Sequence, residues 1–201
     1  MKRTNIFNLV LILLFLNYCG QTNQNSFKII NNTIGFEMII PDNFELISAK
    51  EKDRQLNIGK EKINDLYNSD IDLTDIGDPQ IFTSNKTNYF LLNVQKFDSI
   101  EDTNNNYLSL VNQTNSAVLE TYKRGFPDAK IESNTSSENI DGISFIKYVL
   151  KVTVSKKTTM YVISYNHLFK DKDFIFSIIF TDVEKGEEVL RKFRKSKFKK
   201  I

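Results

Sequence analysis

One strand-length run restricts the fold more than any other stretch of the chain. Between Phe174 and Thr181, Phe174, Phe176, Ile178 and Phe180 alternate with Ile175, Ser177 and Ile179. Successive side chains of a strand point to opposite faces, so this one is apolar on both. A strand buried on both sides needs cover on both sides, which predicts a sheet with helices above and below it.

The remainder supplies those parts. From Lys130 the pattern is strands only: Ala129 to Ser133, a loop from Asn134 to Asp141, then Ile143 to Val154 and Thr159 to His167. Lys156-Lys157 marks one hairpin and Leu168 to Asp173 the next. Thr181-Asp182-Val183-Glu184 has the spacing of a capping box and opens a terminal helix with Val189, Leu190 and Phe193 as its core stripe. Upstream, Tyr107, Leu110, Val111, Thr114, Val118 and Tyr122 recur at three- and four-residue steps. They predict a helix from Asn105 to Arg124, stopped by Gly125 and Pro127. Gln80 to Ser84 and Tyr89 to Phe97 form a hairpin around Asn85 to Asn88, with Phe90, Leu92 and Val94 on one face.

Nearer the start, Phe27 to Ile30 turns at Asn31 to Thr33 into a strand carrying Ile34, Phe36, Met38 and Ile40 on one face. Pro41-Asp42-Asn43 ends it, and Phe44 to Leu46 reads as a short continuation. Ser48 and Glu51 frame a capping box for a helix from Ala49 to Tyr67, with Leu56, Ile63 and Tyr67 on its stripe and Gly59 as a candidate break. The acidic connector from Asn68 to Pro79 begins like a calcium loop at Asp70, Asp72 and Thr74. Asp75 then replaces the required glycine and Ile81 the closing glutamate, so it reads as a solvated loop. The fold class is α+β, an antiparallel sheet of about six to seven strands between helices.

Ahead of this domain Lys2 and Arg3 precede an apolar run from Leu9 to Leu16 that ends at Asn17-Tyr18-Cys19-Gly20. The run is shorter than the roughly 20 residues of a membrane-spanning helix and has the three parts of an export signal. Leu16-Asn17-Tyr18-Cys19-Gly20 resembles the lipobox of bacterial lipoproteins, in which the cysteine takes a diacylglyceryl group and becomes the new N-terminus. Leu16 and Gly20 fit that pattern and Tyr18 departs from its usual small residue. The resemblance implies a signal peptide at 1–18, a lipidated Cys19 with a polar tether through Ser26, and one globular domain at 27–201. The expected partner is then a lipid bilayer, with the domain in the cell envelope outside the cytoplasm, on an outer membrane or the outer face of the cell membrane.

Removal of residues 1–18 takes away Lys2 and Arg3 and no acid, leaving basic and acidic residues balanced. A balanced chain has no electrostatic footprint for nucleic acid. Nucleophilic catalysis needs a nucleophile beside a base. His167 is the sole histidine, no Gly-x-Ser-x-Gly elbow is present, and the sole cysteine is Cys19. Zinc needs several His or Cys ligands, and no cofactor or metal site is expected. Acids such as Asp98 and Glu101 leave one enzymatic alternative, an envelope hydrolase using a carboxylate pair.

The order of elements, with Gly35-Phe36, Ile40-Pro41 and the Phe176 to Leu190 strand-to-helix run, resembles the PsbP-like group. That group spans photosystem PsbP proteins, Mog-type proteins and small lipoproteins of the DcrB kind. Over Ile34 to Phe198 the resemblance implies a non-enzymatic sandwich that docks to partners or helps assemble membrane complexes, here an envelope protein. It supplies no catalytic residue. Two features suggest contacts. Arg191, Lys192, Arg194, Lys195, Lys197, Lys199 and Lys200 make a basic tail suited either to a helix C-terminus or to anionic headgroups. Leu168 and Phe169 are apolar residues in an expected turn, buried under the sheet or open to a partner.

Overall fold

The computed structural model describes residues 27–67, 77–97 and 104–199. The expected signal and tether, Cys19, connector residues 68–76, Asp98, Glu101 and Lys200 lie outside the described residues, as do the side chains of Ile63 and Tyr67. In order the elements are β1 (Lys28–Asn31), β2 (Phe36–Ile39), β3 (Glu45–Leu46), α1 (Ala49–Tyr67), β4 (Gln80–Asn85) and β5 (Asn88–Lys96). Then come α2 (Asn104–Gly125), β6 (Lys130–Ile140), β7 (Ile143–Ser155), β8 (Thr158–Phe169), β9 (Lys172–Phe180), α3 (Val183–Arg194) and β10 (Lys197–Phe198). Seven strands form an antiparallel sheet in the order β3-β4-β5-β9-β8-β7-β6, and β1-β2-β10 form a small second sheet.

The doubly apolar strand, β9, lies at the centre of the large sheet between β5 and β8. Phe174, Phe176, Ile178 and Phe180 meet the small sheet and α3, in one core with Phe36, Met38, Phe145, Val189, Leu190 and Phe193. On the other face Ile179 packs with Val118 and Tyr122 of α2 and with Leu150, Val152, Met160 and Val162. Near the start of α2, Tyr107 and Val111 pack on Phe97, with Leu168 against them. Helix α1 runs beside α2. Among the described residues no helix is long and apolar enough to cross a membrane.

The expected sandwich is present, with one difference in its cover: on the α3 side half the layer is a sheet. Phe44 to Leu46 does not continue β2; β3 crosses to the large sheet and pairs with β4. Gly59 is buried within an unbroken α1. Glu51 N–H donates to Ser48 Oγ (3.2 Å), but the Glu51 carboxylate turns to Arg54 and Gln55, so the box is half formed. At α3 the cap is Asp182, which accepts from Lys185 N–H (3.2 Å), while Thr181 bonds Thr87.

Two expected loops are strand. Asn134 to Ile140 belongs to β6, paired with β7 through to Ile140↔Ile143, and the turn shrinks to Asp141-Gly142 with φ of 51° and 83°. Edge strand β6 is exposed along most of its length, so its sequence has no apolar alternation and its backbone pairing alone defines it. Leu168 to Asp173 likewise closes to a Lys170-Asp171 turn, with Leu168↔Asp173 and Phe169↔Lys172 in register.

Candidate functional site

Ion pairs and hydrogen bonds hold the C-terminal segment in a clasp. After α3 the chain turns at Lys195 and Ser196, and β10 pairs with β2 in the register Lys197↔Glu37 and Phe198↔Phe36. Lys199 N–H donates to Gly35 O (2.9 Å). Gly35 has φ 65°, and a Cβ there would stand 2.3 Å from the Lys199 carbonyl oxygen, so both conformation and space demand glycine. Phe198 N–H and Lys197 Nζ both donate to Asp141, at 2.8 and 3.0 Å. Lys199 and Lys28 share Glu37 and bring its carboxyl down to about 2.

A second node lies between β6 and α3. Glu138 accepts from Arg194 Nε (2.7 Å), Lys147 Nζ (2.7 Å) and Tyr165 OH (2.9 Å). Burial alone would raise its carboxyl; the three donors outweigh burial and hold it near 2.

Of the basic residues expected at the surface, Arg194, Lys197 and Lys199 are thus drawn to the protein's own acids. Arg191 and Lys195 line a shallow groove on the outer side of α3 with Glu184, Glu187, Glu188 and Arg194. Lys192 is half-buried on the same helix. The tail does not continue the helix; it becomes strand. Leu168 and Phe169 are partly buried: Leu168 packs on the Phe97–Tyr107–Val111 cluster, and the Phe169 ring stacks on Phe198 at 5.6 Å.

His167 has structural partners. Its Nδ1–H donates to Ser144 O (2.9 Å) and its ring lies 4.4 Å from Phe169 and 5.4 Å from Phe145. Burial pushes its pKa below the ordinary value. Among the described residues no group of three His, Cys, Asp or Glu comes together to hold a metal.

Sequence reasoning missed the buried carboxylate Asp173, which is 1% exposed. It accepts from Tyr107 OH (2.8 Å) and Gln95 Nε2 (3.1 Å), and Asn93 donates to Gln95 Oε1 (3.1 Å). Burial, and then the Asp173 charge, push the Tyr107 hydroxyl well above its ordinary pKa. The available signal was the alternation itself: Asp173 has the parity of Ile175, Ser177 and Ile179, the residues that face α2. The cluster is a closed network under the helix, with each named group engaged by another side chain.

A seven-stranded antiparallel sheet between a helical layer and a mixed layer is the architecture of PsbP-like proteins. The solution structure of cyanobacterial PsbP (CyanoP) from Synechocystis aligns with a TM-score of 0.54 at 11% identity, covering 92% of this chain and 99% of that one. The Ran-binding protein Mog1p of Saccharomyces cerevisiae aligns at 8% identity over 88% and 96%, with a TM-score of 0.41. LpqN of Mycobacterium tuberculosis, described as involved in cell envelope biogenesis, aligns at 10% identity over 89% and 93%, with a TM-score of 0.38. The likeness to cyanobacterial PsbP is one of fold. No protein-family model and no curated protein matches the chain.

Proposed function

We propose that this chain is a membrane-anchored, non-catalytic lipoprotein of the cell envelope whose PsbP-like domain binds or scaffolds an envelope protein. The observation that carries the reading is Cys19, the sole cysteine, placed at the end of a short export signal with seven residues between it and Phe27, where the domain begins. A lone thiol in an exported protein has no internal partner, and lipid is the use its neighbours fit. The folded part supports binding over catalysis: His167 is spent on a backbone carbonyl and two rings, and Asp173 is tied to Tyr107 and Gln95. The test is fractionation of the Cys19→Ser variant. Diacyl anchoring is firm, since each buried CH₂ contributes about 0.8 kcal/mol, so the variant is expected to leave the membrane fraction. A variant that stays there as wild type does would overturn the anchor. Crosslinking of the anchored wild type in intact envelopes, followed by mass spectrometry, identifies the protein it binds.

A further inference from the structure

We infer that the outer face of the β1-β2-β10 sheet lies on an anionic lipid bilayer, an inference that rests on the proposed acylation of Cys19. The register Lys28↔Ile39, Ile30↔Glu37 and Lys197↔Glu37 puts Lys28, Ile30, Glu37, Ile39 and Lys197 on one face. The alternate residues Ile29, Phe36, Met38 and Phe198 fill the core on the other. Ile30 and Ile39 are 56% and 52% exposed, and Phe27 at the end of the sheet is 56% exposed. These are three of the seven exposed large hydrophobic residues among those described, gathered on the small sheet and its rim.

Around the isoleucines stand three ammonium groups, Lys28, Lys197 and Lys199. Glu37 holds two of them and Asp141 the third, yet each ammonium carries three N–H donors and keeps some for phosphate. Apolar side chains ringed by lysines whose stems lie along the surface suit the boundary where hydrocarbon meets headgroups.

The point where the tether ends puts this face nearest the anchor. Phe27 O accepts from Ile40 N–H (2.8 Å), so the chain enters the fold at the rim of the small sheet itself. Gly20 to Ser26 span at most roughly 25 Å when extended, about 3.5 Å per residue. The outer side of α2 lies a further two layer spacings of about 10 Å each across the sandwich, so most of the tether would be used in passing round the domain to bring that side to the bilayer.

The experiment uses the full acylated chain in phosphatidylcholine vesicles containing a third phosphatidylglycerol. With Cys19 consumed by lipid, a fluorophore is attached through Ile39→Cys or, as control, Leu108→Cys on the exposed side of α2; far-ultraviolet circular dichroism verifies that both fold. Both are expected to float with the vesicles. A headgroup-level lipid quencher should remove most of the emission at position 39 and little at 108. Flotation with equal quenching at the two positions, or stronger quenching at 108, keeps the anchor and overturns the face. A label at 39 shielded from aqueous iodide but untouched by the lipid quencher means that protein, a second copy or another chain, covers the face, which also overturns it. Failure of both variants to float removes the anchor, and the face with it.

Discussion

The two sides of the large sheet are held by different means. Toward α3 and the small sheet the contacts are rings: Phe176 stacks on Phe193 at 4.0 Å and 1° between planes, and Phe174 lies against Phe36, Phe145, Phe193 and Phe198 at 5.3–6.3 Å. Toward α2, apolar residues are interrupted by buried polar ones: Asn93, Thr114, Asn115, Ser164, Asn166, Asp173 and Ser177. Ring packing is strong in aggregate and tolerant of direction, because burial scales with area. Hydrogen bonds are directional, and a buried donor moved off its acceptor loses more than the bond contributed. The aromatic side therefore supplies most of the stability, whereas the polar side positions α2 along the sheet. Each variant below acts on one side only.

The largest effect is expected from Phe176→Ala. Its side chain is fully buried, and truncating such a phenylalanine costs about 3–5 kcal/mol through lost burial and the cavity left behind. Denaturant titration measures it. A loss below about 1 kcal/mol would mean that the aromatic layer collapses onto the vacancy, and the contrast in stability between the sides would fail.

Tyr107→Phe tests the polar side. The variant keeps the ring, which packs edge-on to Phe97 at 5.5 Å, and removes only the hydroxyl that donates to Asp173. Loss of a hydrogen bond to a buried carboxylate is expected to cost about 1.5–3 kcal/mol. The expected signature is positional: amide exchange in the first turns of α2 should quicken, while the aromatic side keeps its protection. Uniform quickening in both layers would show that Tyr107 serves general packing.

Acid separates the sides in the opposite sense. Glu37 and Glu138 have folded-state carboxyls near 2, against an ordinary 4.5. A depressed pKa gives stability that is complete above the unfolded value and is lost as pH falls through the folded one. Between about pH 4.5 and 2 the clasp should therefore loosen. Exposed pairs contribute modestly, so the expectation is quicker exchange at Phe198 and Lys199 ahead of global unfolding. Clasp amides that stay protected until α2 also opens would show that the backbone pairing of β10 with β2, and not the carboxylates, holds the tail.

The parts that sequence exposed are the parts governed by local periodicity. Helix α2 declares itself through six positions at helical steps, and Tyr107, Val111, Thr114, Val118 and Tyr122 are all buried. The terminal stripe Val189, Leu190 and Phe193 is 0–1% exposed for the same reason. What stayed hidden depends on distant partners. Strand β6 is polar because water bathes most of it, and only β7 makes it a strand. Lys199 finds Glu37 across 162 positions, a partner that a basic tail read by itself does not reveal. Asp173 was hidden by its type: a carboxylate argues for the surface until Tyr107 and Gln95 are known to face it.

The smallest effect, and the one of opposite sign, is expected from Thr114→Val. Thr114 is 2% exposed and lies on α2 between Val111 and Val118, and its Oγ1 has no hydrogen-bond partner. A buried hydroxyl without a partner keeps its desolvation cost and gains nothing in return. Valine has nearly the same shape and replaces that hydroxyl with a methyl group, so stability should rise by about 1 kcal/mol. β-Branching is retained, which leaves helix propensity almost unchanged. Chemical denaturation of Thr114→Val beside Tyr107→Phe then divides the polar side into groups that are bonded and groups that are merely buried. A rise for the first and a fall for the second locates the positioning role in the Asp173 cluster. A fall for both would mean that Thr114 also has a partner, such as a trapped water, and that the hydrogen-bonded network extends along α2 as far as Thr114.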